Sequence, residues 1–112
     1  MRIRRNKYGV RIDKIGKLER TADGILFASE KECRRYGELK LLQKERYIKN
    51  LELQPEFPCV VNGKKVCVYI ADFRYSTPQG VVIEDVKGFK TTLYLLKKNL
   101  VEALFGITIT ET

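Results

Sequence analysis

The chain contains no histidine. That excludes Ser/His/Asp and Cys/His catalysis, His-ligated zinc sites and imidazole acid/base chemistry together. Any chemistry must run on carboxylates, lysines or a bound metal. Four side chains stand out for it: Glu32, Asp72, Asp85 and Lys87. Cys33, Cys59 and Cys67 are odd in number and form no C-x-x-C pair, so they read as reduced, mostly buried thiols that fill the core.

Each candidate also has a plain structural reading. At 100° per residue Glu32, Tyr36, Leu39 and Gln43 share one stripe of a helix, which turns Glu32 toward the sheet while Glu38 points away. Ser29 with Glu32 is also a Ser-x-x-Glu capping box, which alone accounts for the glutamate. Asp72 follows Val66, Val68 and Ile70 on one strand face, a charge closing an apolar row, and if buried it needs a cation. Asp85 and Lys87 are two apart on one face beside Ile83, with Val82, Glu84 and Val86 on the other; taken alone they read first as a surface ion pair.

The elements that must position these residues follow from local patterns. Lys17 to Thr21 and Ile25 to Ala28 flank an Asp23-Gly24 turn, which predicts a hairpin. A proline-free helix is expected from Ser29 to about Tyr47. Residues 51–61 read as a strand interrupted by Pro55 and Pro58, suited to a sheet edge. Asn62-Gly63 turns the chain into a strand over Lys65 to Tyr75, with Cys67, Tyr69, Ala71 and Phe73 on the face opposite Asp72. Pro78-Gln79-Gly80 leads into a strand from Val81 to Lys87, followed by a helix from about Thr91 to Leu104 and a last strand from Ile107 to Thr110. The order predicts an α/β fold built around a mixed sheet of four or five strands.

With 112 residues, one domain must hold fold and function. No apolar run approaches the roughly 20 residues that span a bilayer, and the basic start lacks an apolar stretch after it. A cytoplasmic protein without a membrane partner is expected. The formal charge of +8 suits a polyanionic partner, nucleic acid first. Much of the excess lies in an arm over residues 1–16 with Arg2, Arg4, Arg5, Lys7, Arg11 and Lys14, ahead of a main domain over residues 17–112. Such an arm either tracks phosphates or is a solvated tail.

Glu32, then Ile70-Ala71-Asp72, then Ile83-Glu84-Asp85-Val86-Lys87-Gly88 resembles the PD-(D/E)XK nuclease superfamily in element order and in residues. More closely, Ser29-Glu30-Lys31-Glu32, Arg35-Tyr36, Leu51-Glu52-Leu53-Gln54-Pro55-x-Phe57, Tyr69-Ile70-Ala71-Asp72-Phe73 and Glu84-Asp85-Val86-Lys87-Gly88-Phe89-Lys90-Thr91 look like a family of small phage proteins catalogued as domain of unknown function 1064. The likeness runs over about residues 6 to 112. Ala71 stands where the superfamily name has proline, a position the superfamily keeps loosely.

The resemblance implies a restriction-endonuclease-like α-β-β-β-α-β core, here preceded by a short hairpin, and metal-dependent cleavage of DNA phosphodiesters. Asp72 and Asp85 would hold Mg²⁺, or Mn²⁺ in its place, with the Val86 carbonyl, and Glu32 would reach it directly or through water. Lys87 would orient the attacking water and offset charge on the phosphoryl oxygens. Gln54 is placed near the site, or else satisfies backbone on an edge strand. Lys90, Lys97 and Lys98 are expected either as phosphate contacts at the second helix or as its solvated face. The function expected is an endonuclease acting on branched DNA, a junction resolvase working as a homodimer, with phage recombination or packaging proteins as possible partners. The alternative is a non-catalytic DNA-binding module that keeps the nuclease fold. RNA stacking on Tyr and Phe has no ribonucleoprotein aromatic motif to support it.

Overall fold

Asp23 and Gly24 both take positive φ, 51° and 76°. That is the turn whose twist suits a two-residue hairpin, and it closes β1 (Thr21–Ala22) on β2 (Ile25–Leu26). The structure is a computed structural model that describes residues 18–112. The basic arm over residues 1–16, with Arg2, Arg4, Arg5, Lys7 and Arg11, lies outside the described residues. The chain divides into two compact units, one up to Leu41 and one from Leu42 to Thr112.

In the first unit Ser29 caps α1 (Glu30–Lys44): the Glu32 N–H donates to its Oγ at 3.1 Å. This is the N-cap half of the expected capping box, and the expected stripe of Glu32, Tyr36 and Leu39 is the buried one. Tyr36 packs its ring on Phe27, centroids 5.0 Å apart, and donates its hydroxyl to Asp23 Oδ2 at 2.8 Å. Glu38 pairs with Arg35 at 3.0 Å on the outer side. The hairpin turn is thus tied to the helix that follows it.

The second unit contains a four-stranded mixed sheet in the order β3-β6-β7-β8, from β3 (Lys49–Leu53), β6 (Phe73–Thr77), β7 (Gly80–Asp85) and β8 (Ile109–Glu111). Only the β7–β8 pair is parallel. A separate hairpin joins β4 (Glu56–Val61) to β5 (Lys64–Ile70), and α2 (Thr92–Phe105) connects β7 to β8. Phe57, Cys59, Tyr69, Ala71, Ile83, Val101 and Ile109 form the core, drawn from the hairpin, the sheet and α2. Cys59 is fully buried, Cys33 and Cys67 are half-buried, and all three are free thiols.

Two expected strands are corrected. Residues 51–61 are not one strand: Gln54 adopts φ 52° and Pro55 lacks an N–H, so the ladder stops and the chain leaves the sheet for the hairpin. Residues 65–75 likewise break at Ala71-Asp72, where β5 ends and β6 enters the main sheet. The two breaks lie side by side, because Ala71 N–H donates to the Pro55 carbonyl at 3.1 Å and Gln54 N–H to the Asp72 carbonyl at 3.0 Å. The row Val66, Val68, Ile70 is also not the core side of β5; Tyr69, Ala71 and Phe73 are buried instead. Asp72 consequently ends no buried apolar row. β3 does occupy the sheet edge expected for the proline-broken segment.

Helix α2 agrees closely with expectation. Thr91 caps it by accepting from Tyr94 N–H at 3.0 Å, and Gly106 ends it at φ 65° with its N–H on the Glu102 carbonyl. Nothing lies within 4 Å of a Cβ built on Gly106 or on Gly37, so only backbone conformation decides what alanine does there. Gly106→Ala should lose about 1 kcal/mol of stability, whereas Gly37→Ala inside α1 should gain about 0.5–1 kcal/mol. Urea unfolding of the two variants checks the opposite signs.

Candidate active site

Asp72 sits at the crossing from hairpin to sheet, and Asp85 is the last residue of β7. Their carboxylates interlock through the backbone. Asp72 N–H donates to Asp85 Oδ1 at 3.1 Å, as well as to the Glu84 carbonyl, and Val86 N–H donates to Asp72 Oδ2 at 2.7 Å. Tyr69, at the buried end of β5, donates its hydroxyl to Asp85 Oδ2. Asp85 is 1% exposed, while Asp72 is half-buried. One strand end therefore holds two carboxylates whose directions are fixed by two N–H groups and a phenol.

Burial pushes the Asp85 carboxyl above the ordinary aspartate range. The Lys87 ammonium and the Asp72 N–H oppose that shift, and the nearby Glu111 carboxylate adds to it. Lys87 Nζ lies 4.0 Å from Asp85 Oδ1 and 4.5 Å from the centroid of the Tyr94 ring. The ring face is itself attractive to a cation, so the lysine is held from two sides. Asp85 and Lys87 do share one region as expected, but a 1% exposed carboxylate is no surface ion pair.

Beside this pair lies a second charged cluster. Glu111 on β8, the register partner of Asp85, takes Lys90 at 2.9 Å, Lys98 at 3.5 Å and the Tyr94 hydroxyl at 2.8 Å. Lys90 and the Tyr94 hydroxyl hold the Glu111 carboxyl down to about 2. Burial and the bond to Glu111 push the Tyr94 phenol well up, so it stays protonated as a donor. Glu84, fully buried on β7, accepts from Tyr75 at 2.7 Å and from Thr112 Oγ1 at 3.2 Å.

Of the residues singled out from the sequence, Asp72, Asp85, Val86 and Lys87 come together. Gln54 joins them through its backbone N–H on the Asp72 carbonyl, with its side chain exposed. Glu32 belongs to the first unit, where it is buried and closes the helix cap. Lys90 and Lys98 are engaged by Glu111, and Lys97 is half-buried on α2. Tyr69, Tyr94 and Glu111 were not singled out. Tyr69 opens the string Tyr69-Ile70-Ala71-Asp72-Phe73, but nothing in a sequence joins a phenol on β5 to a carboxylate 16 residues further on.

Among the described residues no group of three or more His, Cys, Asp or Glu side chains could hold a metal ion. Mg²⁺ does not need one, since it keeps several waters and commonly binds through one or two carboxylates. The Asp72–Asp85 pair fits that donor set: hard oxygens, oriented by hydrogen bonds as liganding carboxylates usually are. It does not fit a closed zinc site, which takes four protein ligands.

Among the described residues the fold is mixed α/β, with helices α1 and α2, a four-stranded mixed sheet and small hairpins. Within it, an interlocked aspartate pair lies beside a lysine. The chain belongs to the family described as protein of unknown function DUF1064, matched over residues 5–108. No curated protein and no solved structure matches it. No helix among the described residues is long and apolar enough to cross a membrane.

Asp85 and Glu111 give opposite pH dependences. Asp85, raised in the folded state, favours folding below its unfolded value of 3.8 and loses that contribution as pH rises through the folded value. Asp85→Asn should therefore melt no lower than the unsubstituted protein at pH 7. Glu111, lowered to about 2, contributes above 4.5 and loses the contribution as pH falls toward 2. Glu111→Gln should be destabilised at pH 6, and the difference should close below pH 4.5; thermal unfolding across pH checks both.

Proposed function

We propose that the protein is a metal-dependent endodeoxyribonuclease of the PD-(D/E)XK type, acting on branched or structured DNA in the manner of a junction resolvase. The observation that carries the reading is the Asp72–Asp85 interlock with the Lys87 ammonium 4.0 Å from Asp85. These are the positions at which the sequence resembles that superfamily. The net charge of +8 supports a polyanionic substrate. Cutting two strands of a junction calls for two sites, hence a symmetric dimer.

Asp72 and Asp85 would hold Mg²⁺, with the Val86 carbonyl as a third oxygen. When bound, the ion supplies Lewis acidity toward the phosphate and a water that is acidic enough to attack near neutral pH. Tyr69 and the N–H groups of Asp72 and Val86 keep the carboxylates aimed. Lys87, steadied on the Tyr94 ring, orients the attacking water and sets its charge where negative charge grows on the phosphoryl oxygens. Glu111 keeps Lys90 and Lys98 beside the site and the Tyr94 ring in place.

A specific observation favours the second reading, a DNA-binding module without catalysis: both Asp85 oxygens already accept hydrogen bonds. A cleavage panel of linear, flapped and four-way DNA with Mg²⁺, Mn²⁺ or chelator separates the two. Cleavage of four-way DNA that needs metal is expected. Asp72→Asn and Asp85→Asn should abolish it and leave DNA binding intact, and either variant cutting at a tenth of the normal rate would remove the metal assignment. Lys87→Ala should slow turnover about 10²-fold; an unchanged rate would make it a structural ion-pair partner.

The basic arm has its own readout. Removing residues 1–16 deletes six basic side chains against Asp13. Each lost phosphate contact should make the logarithmic salt dependence of DNA affinity shallower by about 0.9. An unchanged slope in the truncated protein would identify a solubility tail.

A further inference from the structure

A groove of about 300 Å³ opens beside the aspartate pair, lined by Val68, Tyr69 and Ile70 of β5 and by Leu93, Tyr94 and Lys97 of α2, with Thr91 at the helix cap. We infer that it receives one unstacked base of the DNA strand whose phosphate lies at Asp72 and Asp85. This deepens the nuclease reading and rests on it. Two walls of the groove belong to the site: the Tyr69 hydroxyl holds Asp85, and the Tyr94 ring carries Lys87. The groove thus begins one tyrosine side chain away from the carboxylates.

Its chemistry is that of a nucleotide. Ile70 is 52% exposed and Leu93 62% exposed, adjacent apolar surface of a kind that marks ligand or partner sites. Tyr94, half-buried, stands among the apolar lining residues, and an aromatic ring of this kind is one on which a base stacks without regard to sequence; Tyr69 itself is 3% exposed. The one charged lining residue is Lys97, which has no carboxylate partner among the described ion pairs, unlike Lys90 and Lys98 on Glu111. Thr91, the cap of the α2 N-terminus, lines the same groove, and a helix N-terminus favours an anion. A flat apolar body with a phosphate attached satisfies all of these, and charge complementarity selects it over an apolar peptide. The volume admits one base and no duplex, so the substrate class is DNA with an unpaired or splayed nucleotide beside the cut, as at a junction or flap.

The test uses the full chain in chelator, so that nothing is cut, and measures the anisotropy of labelled oligothymidylate and of an abasic strand of equal length. The unsubstituted protein should bind the strand with bases about tenfold more tightly, within the range of a single stacked base. Ile70→Gln and Leu93→Gln, both at exposed positions, should bring its affinity to the abasic level and leave abasic binding unchanged. Lys97→Gln should weaken both strands alike. Equal binding of the two strands by the unsubstituted protein, or base preference retained in both groove variants, would overturn the inference. So would loss of self-association in the groove variants, which would make the groove a contact between copies. Asp85→Asn without cleavage but with intact base preference would support the inference, whereas metal-dependent cleavage without base preference would sink the groove alone and spare the nuclease reading.

Discussion

The second unit is organised by the reciprocal hold between Asp72 and Asp85. Asp72 offers its N–H to Asp85, and Asp85 is followed by the Val86 N–H that returns to Asp72. This closes the end of β7 on the point where the chain passes from the β4–β5 hairpin into the main sheet. The same crossing carries the bonds from Gln54 to Asp72 and from Ala71 to Pro55. Two strand breaks and two carboxylates are therefore fixed together, and none of them can shift without loosening the others.

That arrangement has an energetic cost. An aspartate at 1% exposure is driven toward its neutral form, and Lys87, the Asp72 N–H and the more distant Lys98 oppose that. A core built for stability alone would place an apolar residue at Asp85. Retaining the charge there, with a phenol and a lysine dedicated to it, is the pattern of a site whose use outweighs its stability. The cluster at Glu111 works the other way. Its bonds to Lys90, Lys98 and Tyr94 stabilise the fold while bracing the ring that Lys87 rests on.

Local chemistry makes much of this legible in the amino-acid sequence. The Asp23-Gly24 turn, the Ser29–Glu32 cap, the Asn62-Gly63 hairpin and the Thr91-to-Gly106 helix each depend on residues within a few positions of one another. Asp72, Asp85 and Lys87 stand out through their joint pattern and the superfamily it resembles, since spacing alone reads Asp85 and Lys87 as an ion pair and sets Asp72 on an apolar row that is not the buried one. What stays hidden is long-range. Alternation on residues 65–75 is compatible with one strand, and nothing local says that Asp72 is drawn aside by Glu84 and Asp85. The buried row of β5 is misread because both rows are apolar, and only the packing of the hairpin with α2 chooses between them. Tyr69 and Glu111 escape for the same reason, their partners being set by register and not by sequence distance.

If the interlocked aspartates form one divalent-cation site, the ion must be felt at the groups that hold them. Their carboxylates accept from the backbone amides of Asp72 and Val86, so those two amides report on them. In an amide NMR titration with Mg²⁺, without DNA, the largest shifts should fall on Asp72 and Val86 and should vanish in Asp85→Asn. Amides at Asp72 and Val86 that stay unmoved while Mg²⁺ is raised through millimolar concentrations would contradict the cation site.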